Sequence, residues 1–83
     1  MAHSETFHLI VASVGESRFD GAVLSATIPT TAGEITILPH HEPLVATLKT
    51  GSITVRETLG EPKRFPVQTG IVECSGNRVV VLL

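Results

Sequence analysis

The residues with the most chemical reach lie together in Pro39-His40-His41-Glu42-Pro43. Two imidazoles and a carboxylate in succession offer metal ligands and proton-transfer groups. Geometry limits both uses. Neighbouring residues on an extended backbone point to opposite sides, so at most two of the three converge on one ion. A closed zinc site needs four ligands, and the other imidazoles are His3 and His8. Glu34 and Glu42 flank the same corner in this reading and are the pair available for acid–base work. Nothing around them suggests a substrate pocket. No serine sits in a Gly-x-Ser-x-Gly elbow. Cys74 lies in an apolar run without a base beside it and reads as a small buried hydrophobe. Neither glycine-rich phosphate loop occurs. The residues therefore assign no catalytic group, no metal and no cofactor, and the corner reads as a binding surface.

The elements that carry this corner repeat with a period of two. Glu34 to Leu38 is a strand, with Leu38 placed in the core. Pro39 ends it, because proline cannot donate to a ladder and biases the preceding residue toward extended geometry. Pro43 stops the chain again, so the corner is expected to be rigid and exposed. Upstream, Phe7 to Ser13 reads as a strand with Phe7, Leu9 and Val11 on one face. Arg18 and Phe19 lead to Asp20-Gly21, read as a tight turn, and Val23 to Thr30 runs back as one strand. Leu44 to Leu48 is ambiguous. Ile53 and Val55 alternate with polar residues, Glu57 to Arg64 reads as a charged hairpin tip, and Phe65 and Val67 return. Gly76-Asn77 joins the last two strands. Val79 to Leu83 is apolar on both faces, so its outer face needs cover. The sum is an all-β fold: a flattened β-sandwich or barrel of two packed, mostly antiparallel sheets, with about eight to ten short strands. Residues 7–83 form a single domain after a flexible N-terminus, residues 1–6.

Composition narrows the function classes. The net charge is −2, with six Lys and Arg and no Trp or Tyr. Nucleic-acid binding needs clustered cations and stacking aromatics, so none is expected. One cysteine excludes an internal disulfide. No apolar stretch approaches the ~20 residues of a membrane helix, and no secretory signal is evident. An intracellular, soluble protein is expected.

The order of these pieces resembles the N-terminal β-sandwich domain of the epsilon subunit of F-type ATP synthases. Phe7-His8-Leu9 is similar to the family's opening, and Phe19-Asp20-Gly21 to its aromatic-x-Gly turn. Gly33-Glu34 followed by Ile37-Leu38-Pro39-His40-His41-Glu42-Pro43-Leu44 resembles its Gly-Glu then Leu-Pro-x-His-x-Pro-Leu signature. Lys49-Thr50-Gly51, Thr69-Gly70-Ile71-Val72-Glu73 and Asn77-Arg78-Val79-Val80-Val81-Leu82 follow in the family's order. The resemblance implies about ten strands in two sheets and a non-catalytic rotor-stalk subunit. Its implied partners are the gamma subunit and the polar loops of the membrane c-ring. It implies a peripheral position on the cytoplasmic side of the inner membrane, with membrane contact only through the complex. Glu34, Ile35, His40, His41, Glu42 and Pro43 are the implied interface residues.

Three departures stand against the pattern. Thr50 replaces a turn proline, and Thr69 replaces a glycine, where a positive φ would be resisted. The family also continues into a C-terminal helical hairpin that senses ATP and inhibits hydrolysis. This sequence stops at Leu83, so a short form without that hairpin, and without bound ATP, is expected. The competing expectation is a free-standing β-sandwich adaptor for another protein.

Overall fold

A computed structural model describes residues 5–57 and 60–83. Their strands are β1 Phe7–Ser13, β2 Glu16–Val23, β3 Ser25–Thr30, β4 Gly33–Ile37, β5 Leu44–Thr47, β6 Gly51–Arg56, β7 Lys63–Val67, β8 Ile71–Ser75 and β9 Arg78–Leu82. A five-stranded sheet has the order β2-β1-β9-β8-β5 and a four-stranded sheet the order β4-β3-β6-β7. All pairings are antiparallel except β1 with β9, which runs parallel from His8↔Arg78 to Ala12↔Leu82. The fold is the all-β sandwich that the alternation predicts.

The two inner faces make the core. Phe7, Leu9, Val11, Val23, Val72, Cys74, Val79 and Val81 come from the larger sheet. Ala26, Ile28, Ile37, Ile53, Val55 and Val67 come from the smaller one. The β-branched residues that dominate this set suit a pleated, half-buried surface. On one side, Phe19 of β2 and Phe65 of β7 close the seam between sheets in a T-shaped contact with centroids 5.9 Å apart. Lys63 lies over the Phe19 ring at 5.6 Å and pairs with Glu57 at 2.8 Å. The expected hairpin tip from Glu57 to Arg64 falls partly on residues 58–59, outside the described residues.

Four readings of the sequence need correction. Asp20-Gly21 is not a turn. β2 runs straight through it, with Asp20 opposite Ile10 and Gly21 opposite Leu9. The reversal sits at Val14-Gly15, where Gly15 takes φ 72°, and the pairing with β1 overrides the local turn preference. Val23 to Thr30 is not one strand. It breaks at Leu24, where the chain leaves the larger sheet and enters the smaller one, and the Leu24 amide donates to the Arg56 carbonyl at 2.6 Å. Leu38 is not in the core. It is 56% exposed, while Ile37 is fully buried, as strand alternation requires of neighbours. Finally, Glu34 and Glu42 do not flank one corner. Glu34 lies beside the β3–β4 hairpin and pairs with Pro29, at the far end of β4 from Glu42.

The two threonine departures resolve simply. Thr69 has no positive φ. Gly70 does, at 154°. The Thr50 hydroxyl donates to the Gln68 carbonyl at 3.2 Å and so ties two loops together. The last strand buries Val79 and Val81, whereas Leu82 joins Val45 and Ile71 as exposed apolar residues.

Candidate functional site

The corner begins where β4 stops. Past the buried Ile37, the Leu38 carbonyl accepts the His41 amide at 3.2 Å. Pro39 occupies the second position of that turn and His40 the third, with φ 63°. A proline followed by a left-handed residue is the type II pattern. His40 is the one non-glycine residue with positive φ among the described residues. From there His41, Glu42 and Pro43 carry the chain across to β5 in the other sheet. Pro43 restricts Glu42 to extended geometry.

The two imidazoles of the corner have defined partners. The His40 imidazole meets the Glu5 carboxylate at 3.2 Å. The His41 ring donates from Nδ1 to the Glu42 carbonyl at 2.7 Å, since a carbonyl can only accept. That bond assigns the tautomer. Beneath, the Cys74 thiol points at the His41 carbonyl at 3.9 Å, and burial pushes this thiol's pKa up. A raised value keeps it protonated and poorly nucleophilic. A second imidazole–carboxylate pair, His8 with Asp20 at 2.5 Å, bridges β1 and β2 on the outer face. Among the described residues, no group of three His, Cys, Asp or Glu is placed to hold a metal ion.

Sequence reasoning missed Asn77. The His40 amide donates to its Oδ1 at 2.8 Å, and its Nδ2 donates to the Thr6 carbonyl at 2.6 Å. The His8 amide donates to its backbone carbonyl at 3.0 Å. An asparagine in a Gly-Asn turn signals only the turn, and nothing local reveals these partners.

The interface residues implied by the resemblance fall into two groups. His40, His41, Glu42 and Pro43 lie together at the corner. Glu34 is exposed and Ile35 half-buried near the opposite end of β4, and Glu34 is roughly 13 Å along the strand from Leu38. At that far end a cleft of about 410 Å³ opens between the sheets, lined by Arg18, Val67, Thr69 and Leu83 among others. The cleft brings together no nucleophile and base.

Fold and site define a small β-sandwich with a polar corner that crosses between its two sheets. The chain belongs to the ATP synthase delta/epsilon chain β-sandwich domain family, which matches residues 6–83. It is 36% identical over 77 residues to an ATP synthase epsilon chain of Delftia acidovorans, covering 93% of this chain and 56% of the relative. It is 32% identical over 79 residues to the epsilon chain of Dichelobacter nodosus, covering 95% and 55%. The chain thus spans about half the length of these relatives. Two solved structures share the fold. One is a chain of the Euglena gracilis mitochondrial ATP synthase (OSCP/F1/c-ring), with TM-score 0.87 and 23% identity. It covers 93% of this chain and 49% of that one. The other belongs to the central stalk and c-ring of the Tetrahymena thermophila enzyme, with TM-score 0.75 and 16% identity, covering 98% and 65%.

Proposed function

We propose that this β-sandwich is a non-catalytic part of the central stalk of an F-type ATP synthase, coupling the gamma subunit to the c-ring as the rotor turns. The observation that carries the reading is family membership across residues 6–83, on a chain with the two-sheet fold. A chain of that fold in a central stalk and c-ring assembly of Tetrahymena supports the placement. In this reading the sandwich acts as a spacer with two working ends. Glu34 and Ile35 face the polar loops of the c-ring. His40, His41, Glu42 and Pro43 lie near the junction of the gamma subunit and the c-ring. The complex sits peripherally on the cytoplasmic side of the inner membrane, and this domain reaches the membrane only through its partners. A helical hairpin with the inhibitory role lies outside this domain.

Physical reasons favour such use. A coupling element must pass on displacement without absorbing it. Close-packed interiors are poorly compressible, and the corner between the sheets is held by two prolines and a left-handed residue with fixed partners. A flexible loop there would dissipate the load.

The test is co-purification with a bacterial ATP synthase gamma subunit, followed by titration calorimetry. A stable binary complex is expected. His41→Ala is expected to weaken it while leaving the melting temperature nearly unchanged, because the His41 ring's bond, to the Glu42 carbonyl, stays within the corner. Added to an enzyme lacking its own epsilon subunit, the protein is expected to restore coupling between proton flow and ATP turnover. Failure to bind gamma, together with failure to restore coupling, refutes the proposal in favour of a free-standing adaptor.

A further inference from the structure

Asn77 joins three stretches that the sequence keeps apart: the β4–β5 corner, the lead into β1 and the β8–β9 turn. Its carboxamide is fully assigned. The oxygen accepts from the His40 amide and the nitrogen donates to the Thr6 carbonyl. An amide can only donate and a carbonyl can only accept, so the group has one possible orientation. Its own backbone is pinned by the His8 amide and by the Ser75↔Arg78 pair that closes the hairpin.

Opposite this fixed amide stands an unusual backbone. A non-glycine residue at φ 63° persists only where its surroundings over-determine it. The turn's own bond, His41 to Leu38, is 3.2 Å long, against 2.8 Å for His40 to Asn77. The shorter contact is thus the one on His40 itself. Glu5, next to the Thr6 that Asn77 grips, holds the His40 ring. The His40 ring is therefore tied to Glu5 directly, and its backbone amide is tied through Asn77 to the neighbouring Thr6.

We infer that Asn77 is the positioning residue of the corner: it holds His40 in the left-handed conformation and so sets the direction in which His40 and His41 face a partner. Its consequence for binding rests on the proposed docking role, whereas the local restraint does not. Asn77→Ala removes both bonds. Asn77→Asp keeps the acceptor for His40 but sets a second acceptor against the Thr6 carbonyl. His40→Gly removes the need for restraint, because glycine takes a positive φ without cost.

The experiment uses these three variants and the Asn77→Ala/His40→Gly double variant in the full chain. Amide exchange followed by NMR reads the restraint, and calorimetry with the gamma subunit reads the consequence. In Asn77→Ala the His40 amide is expected to exchange about tenfold faster, as for one lost hydrogen bond, and to stay near wild type in Asn77→Asp. The gamma dissociation constant is expected to rise about five- to tenfold in Asn77→Ala. The same change in the His40→Gly background is expected to cost less than about twofold, which a purely structural role would not produce. Unchanged His40 exchange in Asn77→Ala overturns the inference, and so does an equal binding penalty in both backgrounds. If the wild-type chain does not bind gamma, the docking role falls and the exchange data alone decide for or against the restraint.

Discussion

Replacing Gly70 with alanine tests how tightly the β7–β8 connection is fitted against the last strand. A Cβ at this position would lie 2.2 Å from the Leu82 carbonyl oxygen and 3.1 Å from the Leu83 Cα, all backbone. Real Cβ contacts stop near 3.0 Å, so one strand must retreat by about 0.8 Å. No side chain can rotate away to absorb this. The retreat pulls on the Ile71↔Leu82 pairing and on the bond from the Leu48 amide to the Gly70 carbonyl, 2.9 Å long. Overpacking costs about 1–3 kcal/mol, a residue forced to φ 154° about 1–3 kcal/mol, and a lost hydrogen bond about 1 kcal/mol. These terms overlap, since one shift relieves several, so we expect about 3–5 kcal/mol in all. For a domain of this size that lowers the melting temperature by roughly 12–40 °C. Gly76→Ala is the internal control. Gly76 also has positive φ, 62°, but its Cβ would enter open space, and its cost is about 1 kcal/mol. Differential scanning calorimetry on the two variants reads the contrast. Melting of Gly70→Ala within about 5 °C of wild type, or equal shifts for both, would refute the argument from close approach.

Ile37→Ala is expected to lower stability by about 2–5 kcal/mol and Leu38→Ala by less than about 1 kcal/mol, because only Ile37 is buried. Urea midpoints in the reverse order would show that the corner is packed differently. Burial raises the Cys74 pKa, so the native state keeps the thiol proton to higher pH than the unfolded chain does. Its contribution to stability is complete below the ordinary thiol range and declines as pH rises through and beyond it. Urea melts at pH 7 and pH 10 are expected to show a smaller alkaline loss in Cys74→Ala than in wild type. Calorimetric titration with millimolar ATP is expected to give no saturable heat, since the sequence has no glycine-rich phosphate cradle. A micromolar constant would place a nucleotide site within this chain.

What the sequence made legible was whatever depends on parity and local chemistry. Phe7, Leu9 and Val11 share a face because side chains alternate along a strand, and all three are buried. The same rule, applied one residue further along β4, puts Leu38 outside once Ile35 and Ile37 are inside. Reading it as core followed its hydrophobicity against its parity. Asp20-Gly21 misled for a different reason. The dipeptide prefers a turn, but a preference of that size yields to a full strand pairing with β1, and Gly15 already supplied the reversal. The break at Leu24 was hidden because both halves of the run alternate, each toward a different sheet. Glu34 and Glu42 are close in sequence, but the strand between them separates them along its axis.

The corner shows where local legibility ends. Pro39 and Pro43 announce rigidity, and the two histidines announce polarity, from sequence alone. The conformation that gives them direction depends on a carboxamide 37 residues away in sequence. A proline at the second position of a turn permits a left-handed third residue but does not force a histidine to accept it. In the role inferred for Asn77, the bond that the His40 amide donates to the Asn77 Oδ1 supplies that force. It joins the sheet-to-sheet crossing at the corner to the hairpin of the two final strands, one of which, β9, pairs in parallel with β1. The corner thus inherits its stiffness from the centre of the larger sheet rather than from its own short loop. The corner is thereby tied to β1 and β9, two interior strands of the five-stranded sheet. If the domain docks as proposed, this arrangement gives the corner a support that a loop held by prolines alone would not have.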